Sequence, residues 1–283
     1  MTPKTAAVRA GAARGLIELR QLHTNGQDLF MQYFWPVLML VALFFMRNGH
    51  FEATGIGLGS LALPSILGLL VASTGLMGIS QWLTMDREDG TLLRAKVTPN
   101  GMAGYLIGKL ISTSGTVLVQ VLVMLAAGAL VVGGIRLDSL GGWFTLLWVL
   151  VLGLLATLPI GAIIGSAFEN PRGVGFASFP IMGLVAVSGI FYPITSMPGW
   201  VQGLAQVFPI YWMGLGMRSA LLPDEAAVVE LGHSWRHWET FGVFVAWAAI
   251  GLAIAPIMLR RMARRESGSS VATRREKAMQ RAY

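Results

Sequence analysis

The residues best equipped for chemistry are few and lie in clusters. Asp86, Glu88 and Asp89 fall within one short stretch, DREDG. Grouped carboxylates of this kind could hold metal ions against a diphosphate. No further acid occurs between Asp89 and Asp138, and carboxylates without partners make a poor metal site. His233 and His237 stand four apart with Glu239 close by and His50 on the same side, a spacing that on a helix could bind zinc. Histidines in a tryptophan-rich interfacial loop need no metal to explain them. The stretch GYLIGKL has the look of a phosphate loop, but Ala103 stands where its leading glycine belongs, and Leu110 follows Lys109 in place of Ser or Thr. Cysteine is absent, which removes disulfides, thiolate metal sites and thiol nucleophiles together.

The elements that must carry these residues are set by composition. Charged residues make up 12% of the 283-residue chain, against about 25% in soluble domains. The apolar share is 54% and the mean hydropathy is +0.64. So few charges cannot cover a water-facing surface, so most of the chain faces lipid. A spanning helix needs about 20 apolar residues, and six runs qualify: 29–46, 61–84, 105–132, 143–168, 174–195 and 240–259. The fold class is therefore an all-α polytopic membrane protein with six transmembrane helices. The first run lies too far from the start, and is too long, for a cleaved signal sequence. Residues 1–265 form one transmembrane domain, and the basic, serine-rich stretch 266–283 is expected to be a disordered tail near anionic headgroups.

Basic loops stay in the cytoplasm. Seventeen of the 21 Lys and Arg residues lie in the amino-terminal segment, the even loops and the tail, which places both termini in the cytoplasm. Over residues 8–27, Val8, Ala12, Leu16, Leu19 and Leu22 share one helical stripe with Arg9, Arg14 and Glu18 off it, the pattern of an amphipathic helix lying on the membrane surface. Phe30, Tyr33, Phe34 and Trp35 mark the inner interface. The loop from Ser196 to Glu239 opens with PGWVQGLAQVFPIYWMGLGMR, too apolar for a free loop yet broken by Pro198 and Pro209, and reads as short re-entrant helices.

Ion-coupled carriers need carboxylates or histidines within the bilayer, and no run holds one at mid-depth. Gln81, Gln120, Ser73, Thr74 and Ser188 are the polar residues inside the runs, suited to hydrogen bonds between helices. Selectivity-filter repeats and rings of charge are missing too.

The second loop, DREDGTLLRAKVTPN, has acids first and bases last, the order a short helix prefers. Leu92 and Leu93 would be exposed on it unless something covers them, which reads either as a solvated turn or as a helix that docks a cytoplasmic partner. In order along the chain come Glu88-Asp89-Gly90-Thr91-Leu92-Leu93-Arg94 with Val97-Thr98-Pro99, then Ser188-Gly189-Ile190-Phe191-Tyr192-Pro193, Met197-Pro198-Gly199-Trp200, Pro209-Ile210-Tyr211-Trp212 and Arg218. This sequence of motifs resembles the ABC type-2 transporter permeases, transmembrane subunits of bacterial drug and polysaccharide exporters.

The resemblance implies a non-catalytic permease subunit in a bacterial cell membrane, paired with a second copy or a similar permease and with two copies of a separate ABC ATPase. It implies no cofactor or metal on this chain, with ATP and magnesium on the partner. Coupling to the ATPase would fall to Arg14, Glu18, Glu88, Asp89, Gly90, Thr91, Leu92, Leu93, Arg94, Thr98 and Pro99. The substrate pathway and outer gate would fall to Ser73, Met77, Phe179, Met182, Ser188, Phe191, Tyr192 and Pro193. A path so poor in charge suits an amphipathic or lipophilic cargo such as a drug, an antibiotic or a lipid-linked product. Gly104/Gly108 and Gly161/Gly165 would let helices pack closely as they move. The other reading is a membrane-embedded lipid phosphotransferase using Asp86 and Asp89, since the DREDG stretch resembles the opening of the CDP-alcohol phosphotransferase motif, although the resemblance implies two further aspartates where Tyr105 and Lys109 stand.

Overall fold

Apolar runs bounded by glycine, asparagine and proline close into helices because lipid leaves the backbone no outside partner. The computed structural model describes residues 3–50, 57–98, 100–265 and 267. Regular structure among them is helical apart from a single bridge between His50 and Gly57. Helix α1 (Pro3–Leu22) is followed by α2 (Gly26–Met46), whose start is capped by the Asn25 side chain accepting from the Gln27 amide. A rod follows, made of α3 (Leu58–Ser73), one π turn (Thr74–Gly78) and α4 (Ile79–Glu88). Then come the short α5 (Thr91–Lys96), α6 (Gly101–Val131), α7 (Leu140–Ala167) and α8 (Pro171–Val187). Helices α9 (Gly199–Val207), α10 (Pro209–Leu221) and α11 (His237–Arg265) complete the chain. Among the described residues, five elements are long and apolar enough to cross a bilayer: α2, the Leu58–Glu88 rod, α6, α7 and α11. The chain is a multi-pass membrane protein.

Two expected helices end early. The run 174–195 is not one helix: α8 stops at Val187, where the Ser188 hydroxyl donates to the Val185 carbonyl and Gly189 turns the chain at φ +69°. That backbone conformation favours glycine, which has no Cβ to clash. The amino-terminal helix stops at Leu22 rather than running to residue 27, because the His23–Asn25 turn intervenes before Asn25 starts the next helix.

Helix α10 lies at the centre. Tyr211, Trp212, Met213 and Leu215 are buried against α3 and α7. Backbones approach closely enough there that a Cβ on Gly68 would lie 2.9 Å from the Gly214 Cα. Helix α7 clamps the rod at its π turn: the Ser80 hydroxyl lies 2.6 Å from the Gly161 carbonyl oxygen, and Gly165 packs on the Ser80 backbone. Such π turns concentrate at functional sites. Helix α2 is the least covered spanning element, with only Pro36 and Leu43 buried.

Helix α1 packs along the first half of α6 on a glycine face. Gly11 meets the Gly104 carbonyl, Gly15 the Gly108 carbonyl, and Leu19 covers Gly115. The expected apolar stripe is split by this arrangement, since Leu19 packs on α6 while Val8 and Leu16 stay exposed.

Candidate functional site

A lysine within an apolar helix must find a counter-charge, since an unpaired buried charge is costly. Lys109, two turns into α6, has its Nζ 3.0 Å from Asp86 Oδ2 on α4 and 3.1 Å from Glu18 Oε2 on α1. The Tyr105 hydroxyl donates to the same Asp86 oxygen at 2.7 Å. Arg14 donates from Nε to Glu18 Oε1 at 2.8 Å, and its guanidinium carbon stands 5.4 Å from the centre of the Tyr105 ring. Two cations and two carboxylates from three helices thus balance one another around one tyrosine. On the far side of α4, the buried Arg87 donates to the Phe168 carbonyl at the end of α7.

Beside this cluster stands α5. Gly90 takes φ +79° to turn the chain out of α4, and Asp89 Oδ1 accepts from the Thr91 amide at 2.7 Å. The Thr91 hydroxyl accepts from Arg94 at 2.8 Å, and the Thr98 hydroxyl donates to the Ala95 carbonyl. The Leu92–Leu93 pair, expected to be exposed unless something covers it, is covered in part by the chain itself. Leu92 is wholly buried in a small core of Leu83, Ala95, Tyr105, Ala162, Ala255, Leu259 and Met262, and Leu93 is half-buried. Leu92 therefore anchors α5 from beneath. The outward face is formed by Asp89, Arg94, Lys96, Val97 and Thr98, with Glu88 and Thr91 half-buried at its edge. Pro99 lies outside the described residues. Arg14, Arg94 and Thr98 line one open hollow of about 560 Å³ between α1, α5 and the start of α6. Three residues that the resemblance assigned to coupling, drawn from two separate sequence regions, thus border one hollow.

The residues that the resemblance assigned to a substrate pathway lie in several separate places. Ser73 and Met77 are half-buried at the π turn, where the Ser73 hydroxyl donates to the Leu70 carbonyl. Phe179 and Met182 project from the exposed face of α8. Ser188 is buried as the end of that helix. Phe191, Tyr192 and Pro193 border a cavity of about 250 Å³ between α2, α3 and the turn after α8. At this cavity Arg218 Nε stands 2.6 Å from Glu230 Oε1, and Arg218 Nη1 donates to the Ser65 hydroxyl at 2.9 Å. Burial first, and the neighbouring Glu230 second, push the Tyr211 phenol up to about 12, which keeps it neutral.

Neither ion cluster is visible as a local motif, since its members lie far apart in the sequence. A lone cation inside an apolar run, Lys109 or Arg218, was the available signal. Asp86 is closed by a lysine and a tyrosine, and Asp89 Oδ1 accepts from the Thr91 amide. Among the described residues no three His, Asp or Glu side chains gather to hold a metal ion. His233, at φ +50°, lies outside the helix that His237 opens, and its Nδ1 pairs with the Val228 carbonyl.

Comparison with known proteins bears on the same segments. A Bacillus subtilis (strain 168) protein described as "Putative transport permease YvfS" is 25% identical over 157 residues, 56% of this chain. The match spans 61% of that relative's own length, less than two thirds of it. Residues 17–257, which run from α1 to the last spanning helix, match the family described as ABC-2 family transporter protein. Over most of its length, therefore, the chain belongs to the ABC-2 transporter family.

Proposed function

We propose that this chain is the permease subunit of an ATP-binding-cassette exporter for an amphipathic or lipophilic compound, driven by two copies of a separate ATPase that carry the ATP and magnesium. A second permease, identical or similar, completes the pathway in a bacterial cell membrane. Both termini, α1 and α5 face the cytoplasm, and α9 and α10 lie at the outer side. Helix α8 with the turn that follows it makes a sixth crossing: 17 residues at 1.5 Å each fall a few ångströms short of a core about 30 Å thick.

The observation that carries this reading is α5. It is a short helix pinned by the buried Leu92, with a charged outer face and with α1 set beside it across a common hollow. A push on that face reaches α4 through Gly90 and α6 through the shared core, and Asp86 and Lys109 pass it between those helices and α1. The π turn at Thr74–Gly78, clamped by α7, is where the rod would flex.

The test is retention of a candidate ABC ATPase from the same organism on the purified permease in mild detergent. Arg94→Glu combined with Val97→Asp changes only the exposed face, and it should abolish retention while the permease stays monodisperse. An ATPase held equally well by this variant would remove α5 as the docking element. A wild-type chain that holds no ATPase would overturn the permease reading.

A further inference from the structure

We infer that the cavity at the Arg218–Glu230 pair is a lateral binding site for the head of a single-chain amphiphile, and that it selects heads with no net charge. The inference rests on the permease reading only for the occupant's role as cargo, because occupancy itself needs no ATPase.

The geometry leads there in three steps. The walls are apolar, from Met39 and Met46 on α2, Leu61 on α3 and Phe191 after α8, while the floor is polar, with Arg218, Glu230 and Ser65. Arg218 and Glu230 are each only 4% exposed, yet both border a void that no side chain among the described residues fills. A guanidinium has five N–H donors. One goes to Glu230 and one to Ser65, so further donors and the second carboxylate oxygen remain for an occupant. A buried pair recovers its desolvation cost through close geometry and through hydrogen bonds to its remaining donors and lone pairs, and at this pair those remaining groups border the void.

Size sets the second constraint. Sites for whole drug-sized ligands run from about 300 to 1,000 Å³. A cavity of about 250 Å³ takes a head group and a few carbons, and the rest of the occupant must lie outside. Helix α2, the least covered spanning element, forms that side wall, so a tail can lie along it in the bilayer.

Charge sets the third. The floor carries one cation and one anion closed at 2.6 Å, so its net charge is zero. A charged head would meet an attractive and a repulsive group together while surrendering its own hydration. A head that both donates and accepts hydrogen bonds, such as a sugar, can use both at once.

The experiment uses the permease alone in nanodiscs, photolabelled with an octyl glucoside carrying a diazirine on its tail. Competitors share the octyl tail and differ in the head: octyl glucoside, octyl phosphate and octyltrimethylammonium. Label should map to peptides holding Met39, Leu61 and Phe191, and octyl glucoside should compete at least about tenfold better than either charged analogue. Ala62→Phe, or Ala42→Phe from the other wall, fills the cavity and should cut labelling roughly tenfold. Arg218→Met with Glu230→Met should keep the labelling but let the three competitors converge. Equal competition by all three heads in the wild type means a lipid contact without selection and overturns the inference. So does labelling that both filled-cavity variants leave unchanged, or a preference for octyl phosphate. Failure to retain an ATPase leaves every one of these results readable.

Discussion

The rod from Leu58 to Glu88 carries one buried ion cluster near each end, and the two are built on opposite plans. Near its start, Ser65 holds Arg218, which is closed on Glu230, with both charged side chains at about one-twentieth exposure. Near its end, about 30 Å further along by helical rise, Asp86 shares Lys109 with Glu18, and Glu18 shares itself with Arg14. Exposure there grades outward, from about a tenth at Asp86 and Lys109 to 38% at Arg14. The first plan fixes the segment after α10 to Arg218 on α10, and α10 to Ser65 on α3, through one closed pair. The second ties three helices together through partners that can be exchanged. A closed pair suits an element that must stay put, and a graded network suits elements that move past one another.

The contrast predicts unequal responses to the loss of one member. Arg218→Ala leaves Glu230 buried without a counter-charge and should cost about 3–5 kcal/mol, read as a lowered midpoint of unfolding in detergent. Replacing both residues by methionine should recover most of that loss, because the bare charge goes as well. A near-neutral Arg218→Ala would break the comparison by showing the pair to be as forgiving as the network. Lys109→Met removes the shared cation at the other end, but Tyr105 still donates to Asp86 and Arg14 still pairs with Glu18. Its cost should be smaller, about 1–3 kcal/mol, by the same measurement.

The same contrast explains what the sequence made legible. Spanning helices follow from unbroken apolar runs, and α2, α6, α7 and α11 lie within a few residues of their expected bounds. The end of α8 does not, because Ser188–Thr195 is as apolar as the helix before it and only Gly189 signals the turn. Helices α9 and α10 read as re-entrant from Pro198 and Pro209. The burial of α10 on every side depends on Gly68, Gly214 and Gly216 finding partners far away in the chain. Leu92 looked exposed because its neighbours are charged, yet its covering residues come from α4, α6, α7 and α11. The coupling segments stood out because each is a local motif. The charge network that joins them pairs residues up to 91 positions apart, and no local pattern records that.

The smallest expected effect on stability is the sharpest probe of the network. Glu18 is about one-fifth exposed and bridges Arg14 to Lys109. Glu18→Gln keeps the side-chain shape and removes the charge, and a partly exposed pair of this kind is worth at most about 1 kcal/mol. The glycine face of α1 against Gly104 and Gly108 is untouched, so the helix should stay in place with its hydrogen-exchange protection near that of the wild type. Lys109 then serves Asp86 alone, and α1 loses its charge link to α4 and α6. If the graded network carries motion, the variant should retain its ATPase while the permease-dependent part of ATP turnover falls. Unchanged turnover would mean that α1 is held by its glycines and that the charges serve only to keep Lys109 buried.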